Sequence, residues 1–139
     1  MSAKTSRFIN PDTLVQPGGY SQVVETTGKR TIYLSGQVPL DRDGNVVGAD
    51  LETQTAQVFK NIQLALEAVN ATFADVVKLT YFLLDISQIG TIRQVRDQYI
   101  DPARLPASSA FEVRRLYRDD ILLEIEAVDE ERPAGIAFA

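Results

Sequence analysis

The run VVKLTYFLL at 76–84 constrains this chain more than any other segment. A half-exposed strand alternates apolar and polar side chains. This run carries apolar residues on both alternations, the pattern of a strand at the centre of a sheet. Such a strand needs a neighbour along each edge and a layer against at least one face. Upstream, SQVVET at 21–26 and TIYLS at 31–35 are β-rich runs split at Gly28-Lys29, which reads as a hairpin. Gly36-Gln37-Val38-Pro39 ends the second run, and Asp41-Arg42-Asp43-Gly44-Asn45 is a strong turn signal. Asp50 reads as a helix N-cap, with Thr53 where a capping box would carry Glu or Gln. Val58, Ile62, Ala65, Leu66 and Val69 then recur at spacings of three and four, the apolar stripe of an amphipathic helix, and Asn70 suits a left-handed C′ position. Asp85 and Ser87 are placed to cap a second helix with Ile89, Ile92, Val95, Arg96 and Tyr99 on related faces. After a loop framed by Pro102 and Pro106, SAFEV at 109–113 and ILLEIEAV at 121–128 read as a final strand pair across Arg118-Asp119-Asp120.

The order is β-β-α-β-α-β-β: an α+β domain with one mixed sheet and two helices on one face. The polar, turn-rich opening up to Gly19 and the tail from Glu130 read as loose ends. A chain of 139 residues is long enough for one independent core, here expected within about 15–128 of a single domain spanning 1–139. Helices on one face leave the other to be covered. The runs 76–84 and 121–128 carry apolar residues on that face too, so a homo-oligomer that buries it is expected.

Missing residue types narrow the chemistry. The chain has no His and no Cys. That excludes a disulfide framework, a thiolate nucleophile, a Cys-based zinc site and a Ser–His–Asp triad. Carboxylates, Tyr, Lys, Arg, hydroxyls, backbone amides and water remain. The commonest metal ligand, His, is missing. The net charge of −5 and the absence of a basic stripe argue against a nucleic-acid partner. No run approaches the ~18 apolar residues of a membrane span, and MSAKTSRFINPDT lacks the apolar stretch of a signal peptide. A soluble cytoplasmic protein is the expectation.

Among candidate functional residues, Glu124 and Glu126 stand two apart on the last strand and so share a face. Such a pair is either a solvated strand face or a partly buried carboxylate whose raised pKa makes it a base towards water. Gly36, after Ser35 at a strand end, either forms a bulge or lets a ligand approach its backbone. Tyr20 is either a packing residue or a phenol at a pocket lip. Arg93, Arg96 and Arg104 are surface cations or clamps for a carboxylate. The Gly18-Gly19 pair belongs to no phosphate-binding motif, and Ser108-Ser109 lack a His partner.

Several segments together resemble one family. They are PGGYSQVV (17–24), IYLSGQVPLDRDGNVV (32–47), TQTAQVFKNIQLALEAVNATFADVVKLTYFLLD (53–85), PASSAFEVRRL (106–116) and LLEIEAV (122–128). Their content and order are similar to the YjgF/RidA family of reactive-intermediate deaminases. The resemblance implies a chorismate-mutase-like fold and a homotrimer with small-metabolite pockets at its subunit interfaces. It also implies cofactor-free hydrolysis of enamine and imine acids to a keto acid and ammonia. Residue by residue, it implies that Tyr20 and Glu124 are catalytic, with Glu124 positioning water, and that Ser35, Gly36, Ser108 and Ala110 face the substrate. The family's PARS arginine, which grips the substrate carboxylate, falls on Ser108 in Pro106-Ala107-Ser108-Ser109. Losing one buried bidentate pair costs about 2–5 kcal/mol of binding, so an altered substrate follows. Arg93 stands where the deaminases carry a pocket-facing Asn. It is either a relocated anion anchor or a solvent-facing cation. Two functions follow: a deaminase-like hydrolase with altered substrate, or a non-catalytic trimer that binds or senses a small molecule.

Overall fold

In the computed structural model the described residues are 6–17, 22–27 and 30–131. They form one six-stranded sheet in the order β1-β2-β3-β6-β4-β5. Its strands are β1 (Ser6–Ile9), β2 (Val23–Thr26), β3 (Thr31–Gln37), β4 (Val76–Leu83), β5 (Ala107–Glu112) and β6 (Leu123–Glu130), with helices α1 (Leu51–Glu67) and α2 (Ile89–Arg96). The run 76–84 provides β4, which has β6 along one edge and β5 along the other. No helix of the described residues is long and apolar enough to cross a membrane.

Alternation along the strands separates two faces. Ile32, Leu34, Leu79, Tyr81, Leu83, Leu123, Ile125 and Ala127 are buried against the helices. From α1, Val58, Phe59, Ile62, Ala65 and Leu66 enter the same core, and Ile92 and Val95 join them from α2. Phe59 stacks on Tyr99 with ring centroids 5.4 Å apart. The Asp50 carboxylate accepts from the Thr53 amide at 2.9 Å, and Asn70 takes the left-handed φ of 56°. Both ends of the first helix are therefore as expected. The second helix begins later than expected, because Asp85 caps a short 3₁₀ turn over Ile86–Gln88 that precedes α2.

Two strand expectations are corrected. The polar opening contains β1, an edge strand antiparallel to β2, in which the Arg7 guanidinium donates to Glu25 at 3.0 Å. The final two strands do not pair with each other. β5 lies parallel to β4 in the register Thr80↔Ser109, while β6 lies antiparallel to β4 along its opposite edge in the register Thr80↔Glu126. A parallel neighbour requires a crossover connection, and α2 supplies it between β4 and β5. The turn at Gly28-Lys29 and the tail from 132 lie outside the described residues.

The second sheet face carries Tyr33, Lys78, Phe82, Glu124, Glu126, Val128, Ser109 and Phe111. Phe82 stacks on Phe111 at 5.9 Å, and the Lys78 ammonium donates to the Ser109 hydroxyl at 3.0 Å. Tyr33 and Phe111 remain about half exposed there, at 49% and 51%. The face is aromatic and open in the single chain.

On the helix side, the second-last residue of β6 is Asp129, which is fully buried and has no hydrogen-bond partner for either carboxylate oxygen among the described residues. Burial, reinforced by the charges of Asp75 and Glu131, pushes its pKa up to about 7, against the opposing charge of Arg30. Arg30 is already engaged by Glu25 and Glu131. Between roughly pH 4 and pH 7 the folded protein thus keeps a proton that the unfolded chain has released, so this group makes stability fall as pH rises through that window. Asp129→Asn is expected to flatten the fall. Its urea midpoint relative to the parent should improve from pH 5 to pH 8, measured by fluorescence-monitored unfolding.

Candidate functional site

The site begins with a fault in the sheet. The pairing of β3 with β6 shifts register between Leu34 and Gln37, at Ser35-Gly36. The shift is pinned from below. The Gln37 amide donates to the Gln22 side-chain oxygen at 2.6 Å and to the Ser35 carbonyl at 3.2 Å. Gln22 in turn donates to the Val15 carbonyl at 2.8 Å. Both glutamines are buried, so these bonds fix backbone rather than solvent-facing side chains.

At the fault, the Glu124 side chain of β6 lies directly against Gly36. A Cβ built on Gly36 would stand 2.1 Å from Oε2 of Glu124 and 2.7 Å from its carboxyl carbon. Gly36 is therefore required by the approach of that carboxylate. Glu124 is half-buried, and burial first, then the like charge of Glu126, pushes its pKa upward. The last turn before β6 is fastened to α1: the Gln54 amide donates to the Asp120 carbonyl at 2.8 Å, and its oxygen accepts from the Leu122 amide at 2.8 Å.

Above the Gly36–Glu124 pair opens a cavity of about 610 Å³. Its polar lining is Ser35, Glu124, Glu126 and Gln16, and its apolar lining is Val15, Val38, Leu40 and Tyr117. Val38 and Leu40 belong, with Ile121, to a small second core, against which Val15, Val46 and Leu116 pack. The Asn61 amide of α1 reaches across to the Val38 and Leu40 carbonyls at 3.0 and 2.9 Å and holds this wall in place. Tyr117 is the loose member, 65% exposed at the rim. No Lys or Arg lines the cavity among the described residues. Among those residues, no group of acidic side chains is arranged to hold a metal ion.

The structure brings three of the expected site residues together, Ser35, Gly36 and Glu124. It places three others elsewhere. Ser108 and Ala110 pair with Leu79 and Tyr81 of β4, so they share the helix-side alternation at the β5 edge and are exposed. Arg93 is exposed on α2, where its charge acts on the Tyr81 hydroxyl. None of the three lines the Glu124 cavity of its own chain. Tyr20 lies outside the described residues. The sequence reading missed the apolar wall, Tyr117 and the Gln22–Gln37 pair. Gln37 follows Ser35-Gly36 and carried a signal, but its partner fifteen positions upstream carried none.

A glycine at a register shift, a carboxylate pressed onto it and a cavity above the two make up the candidate site. Residues 12–130 match the family described as endoribonuclease L-PSP. The chain belongs to that family, the YjgF/RidA superfamily. It is 37% identical over 112 residues to a RutC family protein of Pyrococcus horikoshii, covering 80% of this chain and 86% of the relative. It is 38% identical over 117 residues to the 2-iminobutanoate/2-iminopropanoate deaminase of Mus musculus, covering 84% of each. Among solved structures, a Rid family protein of unknown function from Yersinia pestis superposes with a TM-score of 0.83 at 32% identity, over 91% of this chain and all of that one.

Because burial is the larger cause of the Glu124 shift and Glu126 the smaller, the two are separable. Glu126→Gln should lower the Glu124 midpoint part of the way towards the ordinary carboxylate range, read by carbon-detected NMR titration of the side-chain carboxyl. A return all the way would assign the shift to charge repulsion instead.

Proposed function

We propose that this protein binds a small metabolite in clefts between subunits and hydrolyses an imine or enamine there to a carbonyl compound and ammonia. The observation that carries this reading is the Glu124 carboxylate: half-buried, raised in pKa, and held against Gly36 at the floor of the cavity. A carboxylate so placed accepts a proton from water as the water oxygen attacks the C=N carbon. It returns that proton to nitrogen, and the hydroxyl proton follows to nitrogen as the carbonyl forms and the C–N bond breaks, releasing ammonia. Ser35 lines the cavity beside it. The Mus musculus relative is a 2-iminobutanoate/2-iminopropanoate deaminase, which supports the same chemistry.

The assembly we propose is a homotrimer. The half-exposed Tyr33 and Phe111 and the neighbouring Phe82 give the second sheet face its reason to be covered. Ser108, Ala110 and Arg93 sit across the sheet from their own chain's cavity, so they meet such a cavity only in a neighbouring copy. Tyr20 belongs to the same proposed site as a catalytic phenol.

A second reading keeps the cleft and drops the reaction: a trimer that binds or senses a small molecule. Ser108 favours it, as a neutral residue at the position where the family's carboxylate-gripping arginine is expected. An RNA substrate fits less well, since a phosphodiester entering this cavity would meet the carboxylates of Glu124 and Glu126, and the whole chain carries a net charge of −5.

The test is release of ammonia from imines generated in situ by an oxidase, with three chains per particle checked by light scattering. Turnover should fall about 100-fold or more in Glu124→Gln. kcat/KM should drop as pH falls through the raised Glu124 midpoint, because only the ionised carboxylate can take the proton. Ligand-induced thermal stabilisation without turnover would favour the second reading.

A further inference from the structure

Glu124 stands close behind the loop 113–122 that feeds β6. From Leu123 onward the strand is held by its ladder with β4, through Leu83↔Leu123 and Phe82↔Glu124. The loop before it has no ladder. Its last turn is held on one side by the Leu84 amide, which donates to the Leu122 carbonyl at 3.2 Å. It is held on the other side by Gln54, a residue only 1% exposed in the first turn of α1. The Gln54 oxygen accepts from the Leu122 amide at 2.8 Å, and its NH₂ donates to the carbonyls of Asp120 at 2.8 Å and Gly48 at 3.1 Å. Both N–H donors and the oxygen of this buried amide are therefore engaged, so the side chain has one orientation to offer. Thr55, the next residue, makes a contrast. It is equally buried, but its hydroxyl donates to the Leu51 carbonyl of its own helix at 2.7 Å.

We propose that Gln54 is a positioning residue for Glu124: by fixing Asp120 and Leu122 it sets how closely the Glu124 carboxylate is pressed onto Gly36. The proposal deepens the hydrolytic reading above, and its kinetic part rests on that reading. Without the Gln54 amide, the Leu122 N–H and the Asp120 carbonyl lose their partner in a part-buried setting, and the turn shifts to find water. The entrance of β6 shifts with it. Glu124 then gains the room and the water that packing against Gly36 denies it, and a carboxylate that regains water gives up its proton more readily. The same shift takes the base out of line with the reacting water, and a displacement of about 1 Å is enough to cost about 100-fold in rate.

The experiment uses the assembled full chain with Gln54→Met, Gln54→Ala and Thr55→Val. Methionine keeps the length and packing of Gln54 and removes its three hydrogen bonds, so a folded variant is at hand if alanine leaves too large a void. Thr55→Val removes a neighbouring buried hydrogen bond that does not reach the loop. The Glu124 midpoint is read by carbon-detected NMR titration of its carboxyl, and kcat and KM are read with imines generated in situ. In Gln54→Met the midpoint should fall by about half a unit or more towards the ordinary carboxylate range. The acidic limb of kcat/KM should move to lower pH with it, because the base ionises earlier. kcat should drop about 10-fold while KM changes less than about twofold. Thr55→Val should lower the melting temperature and leave the Glu124 midpoint and kcat unchanged. If the midpoint falls in Gln54→Met and the parent turns over no imine, the positioning role stands and the hydrolytic reading falls. An unchanged midpoint in folded Gln54→Met overturns the inference, and so does an equal fall in Thr55→Val.

Discussion

The approach of the Glu124 carboxylate to Gly36 is the constraint on which the rest of this site depends. No side chain larger than hydrogen fits at position 36 while that carboxylate stays where it is. The register shift in β3 makes the approach, and the buried Gln22–Gln37 pair holds the shift. The carboxylate is thereby kept half out of water beside a second negative charge, which raises its affinity for a proton. A base at the floor of a cavity follows from sheet geometry, without His, Cys or a metal ligand.

The same β6 strand carries two carboxylates whose pKa burial raises, on opposite faces. Glu124 faces a cavity large enough for a small molecule and can exchange its proton there. Asp129 faces the core, without a hydrogen-bond partner, and is the more strongly shifted of the two. The contrast separates a carboxylate available for chemistry from one that only taxes the folded state. The cavity wall is built independently of both, by a small second core that Asn61 ties to α1. The carboxylate and the apolar lining of the site are thus held by different side chains.

The sequence made the core legible where a residue's role is decided locally. The Asp50 cap, the left-handed Asn70 and the apolar stripe of α1 needed only their own neighbours. The doubly apolar run at β4 announced its central place. Glu124 and Glu126 were visible as a pair on one face. What was hidden depended on partners far along the chain. β5 reads as the hairpin mate of β6, yet it lies parallel beside β4, with α2 as the crossover. β1 was obscured by its polar setting, and only pairing with β2 makes it a strand. Tyr117 and the wall come from loops, whose positions no periodicity encodes. Asp129 looks, in sequence, like any charged residue at a strand end.

The central claim is that the Gly36–Glu124 pair forms the floor of the site at which this protein acts on a small molecule. A crystal structure of the assembled protein with a bound, unreactive imine analogue tests it most directly. The account predicts the nitrogen of the analogue within hydrogen-bonding distance of the Glu124 carboxylate. An analogue seated elsewhere, with the Glu124 cavity empty, would contradict it.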